Sequence, residues 1–279
     1  GQLKTLRLDP SGRNLPDFDL EKSALMAWDG SRFDLAESCL VGTPPTRTQS
    51  GASAAEIPLK TADVAVEAVV PGEAEVPARL CIGGSSSADG SLAASYRLDH
   101  LPLRLLVRLA APDTPVRLRG ELGGSGELRR DGKGPISGNA HLVSDKGDVF
   151  YVGDGNKPVL SYRGFTIEAA LTDASSTAVV RAALDHDGRI DGRITLTPDR
   201  GASQVIAGNL ELDLNSLTFL ELLSSELTNT QGRLSANYAI AGTLAEPRLN
   251  GMLDLEGFAT EIPSAGLKLH DGRISLRAA

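Results

Sequence analysis

Aromatic side chains are scarce in this chain: one Trp, four Tyr and six Phe, 4% of 279 residues. β-Sandwich cores use such rings to fill the ~10 Å gap between two sheets, so any interior built here is aliphatic. A basic excess is missing as well. The net charge is −8 and the pI about 5.1. No stretch interleaves Lys and Arg with aromatics, which excludes a phosphate-tracking nucleic-acid binder and gives the surface no attraction for anionic headgroups. No run approaches the roughly 20 apolar residues of a membrane helix, and no basic start followed by an apolar segment marks a secretory leader. Cysteine is limited to Cys39 and Cys81. An even pair is compatible with one disulfide or with two buried thiols, and spacing does not choose between them.

Catalytic groupings are also lacking. The four histidines, His100, His141, His186 and His270, are scattered without metal-ligand spacing. Gly123-Gly124-Ser125-Gly126 has the wrong spacing for a nucleophile elbow. Gly153-Asp154-Gly155 lacks the rest of a dinucleotide fingerprint. Asp185-His186-Asp187-Gly188 through Asp191 loosely resembles a calcium loop, but neither an EF-hand nor a nonapeptide repeat surrounds it. The expectation is a protein without catalytic residues, metal or cofactor.

What the chain does have is alternation. Hydrophobic residues make up 41%, enough for a large core, and they recur at every second position, as in a strand with two unlike faces. Ile206, Gly208, Leu210, Leu212 and Leu214 share a parity; so do Leu234, Ala236, Tyr238 and Ile240. Leu249, Gly251, Leu253 and Leu255 follow, then Leu267 and Leu269, then Ile274 and Leu276. Upstream the pattern runs through Val116–Leu122, Ile136–Leu142, Phe165–Leu171, Val180–Leu184 and Ile190–Leu196, whereas residues 1–110 leave the inward parity open. Gly-x-Leu or Gly-x-Ile recurs from Gly90 to Gly272 and reads as glycine opening successive strands of an antiparallel meander. Asp131-Gly132, Asp154-Gly155, Asp187-Gly188, Asp191-Gly192 and Asp271-Gly272 are hairpin-type dipeptides. Gly83–Gly90 and Thr43–Ala54 read as irregular loops. Helix signals are few: Asn215-Ser216 is placed to cap Leu217–Leu223, and Leu101–Leu109 fits a short helix after Pro102 or an apolar strand.

The fold class expected is therefore mostly β: a long antiparallel sheet with one aliphatic face and one or two short helices. That face must be covered. The sheet can pack as a Leu-rich sandwich, close into a barrel, or curl around a lumen.

Between Gly208 and Leu276 the order of short motifs becomes specific. Gly208-Asn-Leu-Glu-Leu-Asp-Leu-Asn-Ser-Leu leads to Gly232-Arg-Leu-Ser-Ala-Asn-Tyr-Ala-Ile. Gly242-Thr243-Leu244-Ala245-Glu246-Pro247-Arg248-Leu249-Asn250-Gly251 and Ala265-Gly266-Leu267-Lys268-Leu269-His270-Asp271-Gly272 follow. This resembles the TamB family, relatives of the AsmA-like bridge proteins. Leu80-Cys81-Ile82, the Gly/Ser loop and Leu101-Pro102-Leu103 resemble the family's upstream segment, although the tryptophan expected near that loop is missing. The likeness spans residues 35–279.

The resemblance implies a periplasmic segment of an inner-membrane-anchored protein, folded as a taco-like trough with a hydrophobic groove. Implied partners are phospholipid acyl chains and, through parts outside this stretch, an outer-membrane Omp85-type barrel, TamA; nucleic acid is not among them. Transport of phospholipid between the membranes and assistance to outer-membrane protein assembly are the two roles it suggests. The oxidising periplasm favours a Cys39–Cys81 disulfide. The groove-lining candidates are Ile206, Leu210, Leu212, Leu214, Leu234, Tyr238, Ile240, Leu249, Leu253, Leu255, Leu267, Leu269, Ile274 and Leu276. Both termini alternate like interrupted strands, so residues 1–279 are expected to be one segment of a continuous groove domain, with a possible subdivision into 1–110, carrying the cysteines, and 111–279.

Overall fold

The computed structural model describes residues 1–8, 17–43, 76–110, 116–151, 158–198, 204–224 and 226–278. The loop expected over Thr43–Ala54 lies outside them after Thr43, as do Asp154-Gly155 and Gly153. Within them, one antiparallel sheet of 16 strands is formed. The strands are β1 (Gln2–Leu3), β2 (Arg7–Leu8), β3 (Asp17–Leu20), β4 (Ala24–Trp28), β5 (Arg32–Thr43), β6 (Arg79–Ser87), β7 (Leu92–Pro102) and β8 (Val116–Arg130). They continue as β9 (Ile136–Tyr151), β10 (Leu160–Leu171), β11 (Ser176–Leu184), β12 (Arg189–Pro198), β13 (Gln204–Leu214), β14 (Thr228–Gly242), β15 (Pro247–Ile262) and β16 (Leu267–Ala278). From β4 onward every strand pairs with the next in the chain, a pure meander; β3 shares the free flank of β5 with β4. The sheet has two ends, at β1 and β16, and does not close. Its fourteen-strand path is roughly 60 Å across at about 4.8 Å per spacing.

The connections alternate between two long rims. On one rim the turns are tight, as at Asp29–Ser31, Ala88–Ser91, Asp131–Pro135 and Thr172–Ser175. The other rim carries the long crossovers, among them 103–115 and 215–227. In the half of each strand nearest this crossover rim the pairing slips by one residue in β7, β10, β14, β15 and β16. Each slip holds a residue with positive φ: His100 (53°), Gly164 (57°), Asn229 (55°), Gly257 (58°) and Asp271 (55°). An extra residue on one strand bends it and adds twist. Repeated along the sheet, these bulges curl it into an open trough with a turn-rim wall and a crossover-rim wall.

Several local expectations shift. Asp131-Gly132 and Asp187-Gly188 do sit in turns, but Asp191-Gly192 lies inside β12 and Asp271-Gly272 inside β16, where Asp271 is the bulge residue. The recurring glycines mostly stand within strands rather than opening them. Gly126, Gly147 and Gly251 lie directly opposite Tyr96, Tyr162 and Tyr238. A Cβ at Gly126 would approach the Tyr96 ring to 2.6 Å, and one at Gly251 would come within 2.9 Å of that of Tyr238. The glycines make room for rings laid flat across the sheet.

β7 ends at Pro102, which lacks an amide to donate to the ladder, and α1 (Leu103–Ala110) begins directly after it. The second helix, α2, is only Leu220–Leu223. Asn215 and Ser216 do not cap it: the Asn215 amide donates to the His186 carbonyl at 2.8 Å, Ser216 pairs with Thr218, and Phe219 precedes the helix without a side-chain cap.

Candidate functional site

The registers put one continuous apolar row across the sheet. Leu20, Leu40, Leu80, Leu98, Gly124, Leu142, Ile167, Val180, Gly192, Leu210, Tyr238, Gly251 and Ala278 stand opposite one another in turn. Because side chains alternate along a strand, the rows two residues to either side share that face. All fourteen candidate groove positions fall on it. Leu212 faces Ala236 and then Leu253 and Leu276; Leu214 faces Leu234, Leu255 and Ile274; Ile240 faces Leu249. Ile206 pairs with Leu196. Leu269 and Leu267 stand opposite Thr260 and Ile262 on the last strand. For residues 1–110, whose parity the sequence left open, the same row places Leu20, Leu40, Leu80 and Leu98 inward.

Coverage is unequal. Against the crossover-rim wall, α1 packs Leu103 and Leu105 into a buried cluster with Phe18, Leu40, Leu101 and Leu122. The 215–227 crossover drives Leu217, only 1% exposed, into a second cluster with Ala182, Leu184 and Leu214. The two crossovers dock alike. Leu103 Cδ1 lies 3.2 Å from where a Cβ on Gly120 (φ 130°) would stand, and Leu217 Cδ1 3.0 Å from that of Gly232 (φ 135°). Polar groups on this side satisfy one another: Ser144 and Tyr162 share a 2.7 Å hydrogen bond, Thr230 and Thr260 one of 3.0 Å, and the Thr230 amide donates to Glu221 Oε1 at 2.7 Å. The turn-rim wall has no such lining among the described residues, and Ile82, Leu128, Ile194 and Leu249 remain 39–51% exposed there.

The outer face is polar and ion-paired. Arg181 bridges Glu168 and Asp191, and Arg189 bridges Glu211 and Asp213 at 3.4 and 3.0 Å. Exposed pairs of this kind each contribute little; their effect is to keep this face in water. The disulfide joins Cys39 and Cys81, paired directly across β5 and β6, and Cys81 is buried. Among the described residues the one grouping with metal-ligand spacing is Glu37 with these cysteines. Their sulfurs are bonded to each other, which leaves no thiolate for an ion. Burial raises the Tyr96 phenol above its ordinary range. Asp29 and Asp89, in two turn-rim loops, are held below the usual carboxylate range, chiefly by backbone hydrogen bonds from Ser31 and Ser91.

An open antiparallel trough, aliphatic inside and ion-paired outside, defines a class that presents a surface along its length rather than a closed pocket. Among the described residues no helix is long and apolar enough to cross a membrane. The chain belongs to the TamB family: the family's N-terminal domain matches residues 74–255, about two thirds of the chain. The match takes in Cys81, the Leu-Pro-Leu segment and the Gly242–Gly251 block. It is 25% identical over 154 residues to the translocation and assembly module subunit TamB of Haemophilus influenzae. That stretch is 51% of this chain and 12% of the relative, so the chain corresponds to a small part of the relative's length. No solved structure matches.

Proposed function

We propose that this chain is a periplasmic section of a lipid conduit in the bacterial envelope, a surface along which phospholipid acyl chains are held and passed between the inner and outer membranes. The observation that supports the reading is the unbroken apolar row from Leu20 to Ala278 on a face that the described residues leave half open. Burying each CH₂ of an acyl chain is worth about 0.8 kcal/mol. A wall of Leu, Ile, Val, Ala and Gly offers nearly the same energy at every step, so a chain shifts along it without leaving a deep well. No step requires a catalyst. Anchoring in the inner membrane and engagement of an outer-membrane barrel fall to parts of the protein beyond this stretch. Native mass spectrometry of the purified protein tests the proposal. Phospholipid is expected to co-purify, and Leu249→Asp is expected to release it while leaving the β-sheet circular dichroism intact. A protein that carries no lipid after extraction from envelopes rules the conduit out.

A second reading rests on β16. Among the described residues this twelve-residue edge strand has no partner on its outer side, and Leu267, Leu269, Ile274 and Leu276 are all well exposed. An unpaired edge accepts incoming strands, which suits help given to outer-membrane proteins during assembly. Photo-crosslinks from β16 to unfolded barrel strands, without lipid adducts on the trough face, favour this role.

A further inference from the structure

Resting on the conduit reading, we propose that the acyl-chain track is the turn-rim wall alone, and that α1 and the 215–227 crossover are fixed linings that deny lipid the other wall. The track runs from Ile82 to Leu249, across β6 to β15. Its centre is a stretch of small residues, Gly126, Ala140, Ala169 and Ala178, that face one another in register. The sequence alone favours the large leucines as the groove, but much of the large-leucine surface is spent on the crossovers. Leu101, Leu122, Leu184 and Leu214 are all buried beneath them. The docking is specific: each crossover seats a leucine on a positive-φ glycine, Leu103 on Gly120 and Leu217 on Gly232. Two independent crossovers with the same knob-and-glycine fit are parts of the fold, whereas Ile82, Ile194 and Leu249 stay exposed among the described residues.

The chemistry of the wall selects that occupant. In the row from Ile82 to Leu249 the Tyr96 hydroxyl is the sole side-chain hydrogen-bonding group, and the strand backbones beneath are engaged in the ladders. An extended peptide laid on this surface would bury amides with nothing to bond. A hydrocarbon chain brings no polar group to satisfy. The small residues at the centre keep the path clear, where a larger side chain would close it.

Benzoyl-phenylalanine placed at Tyr96 on the track, and at Phe165 and Phe258 under the linings, tests this with the 279-residue protein and vesicles of phosphatidylethanolamine and phosphatidylglycerol. These substitutions keep an aromatic ring at each site. The expected result is an intact-phospholipid adduct at Tyr96, at least tenfold above that at either phenylalanine. In parallel, Ala169→Trp is expected to cut retained phospholipid at least tenfold without lowering Tm, and Ala169→Gly to leave it unchanged. Equal lipid labelling at Phe165 or Phe258 shows that the crossovers move aside and overturns the proposal while sparing the conduit. Full retention in Ala169→Trp overturns it too. Lipid adducts at no position, with no co-purifying lipid, remove the conduit reading itself.

Discussion

The two walls of the trough are made of the same kind of strand and differ in what their rims carry. The turn rim closes each hairpin in a few residues, so among the described residues nothing folds back over its wall, and Ile82, Ile194 and Leu249 stay exposed. The crossover rim has loops long enough to return, and they bury the leucines beneath them. Loop length, and not strand composition, thus decides which half of an apolar face becomes core and which half stays available. Stability and binding are expected to reside on opposite walls, and substitutions can pull the two apart.

The largest effect falls on the covered wall. Leu217→Asp buries a charge with no partner and is expected to cost more than about 4 kcal/mol, against about 3 kcal/mol for Leu217→Ala, read from urea unfolding. A loss below 1 kcal/mol would mean that the crossover does not hold the wall. Next is the staple on the outer face. Replacing Cys39 and Cys81 together by Ser opens a loop of 42 residues, and up to about 4 kcal/mol follows from the loop entropy alone. Lipid retention should be unchanged, because the pair lies away from either wall. Gly120→Ala and Gly232→Ala come third. Each forces a Cβ onto a left-handed backbone beneath a docked leucine, for about 2 kcal/mol, whereas Gly257→Asn, with open space around a φ of 58°, should lose less than 1 kcal/mol. On the open wall, Ile194→Ser should change stability by under about 1 kcal/mol yet weaken lipid retention measurably.

The smallest effect is in the turns. The Asp29 carboxyl has a lowered pKa in the folded protein, so the stability it contributes is present above the unfolded carboxylate value of about 3.9 and is lost as pH falls through the folded one. The urea midpoint of the native protein should therefore fall more steeply than that of Asp29→Asn below about pH 4, and the two curves should run parallel above pH 5. Parallel curves throughout would show that the turn hydrogen bonds add nothing.

Much of this is legible in the sequence. Period-two alternation from Ile206 to Leu276 places every candidate on one shared face of the sheet, because parity is a property of the strand itself. The family likeness was legible in the same stretch. Three things were not. The inward parity of residues 1–110 is set by partners such as Leu40 and Leu80, which meet only through register. The bulge at Asp271 mimics a hairpin dipeptide, since positive φ suits both settings. The burial of Leu217 depends on a crossover folding back onto Gly232, a contact that leaves no periodic trace. Large residues attract attention in the sequence alike, yet the chain covers Leu214 and leaves Leu249 and Leu276 exposed.

From β4 onward, each strand of this sheet pairs with its immediate successor in the chain. The consequence lies in how such a molecule comes to be. Every ladder closes between neighbours in sequence, so no distant segment must be awaited before a strand can settle. A chain arriving from one end can lay down strand after strand, each templated by the last, and length adds to the product without slowing its growth.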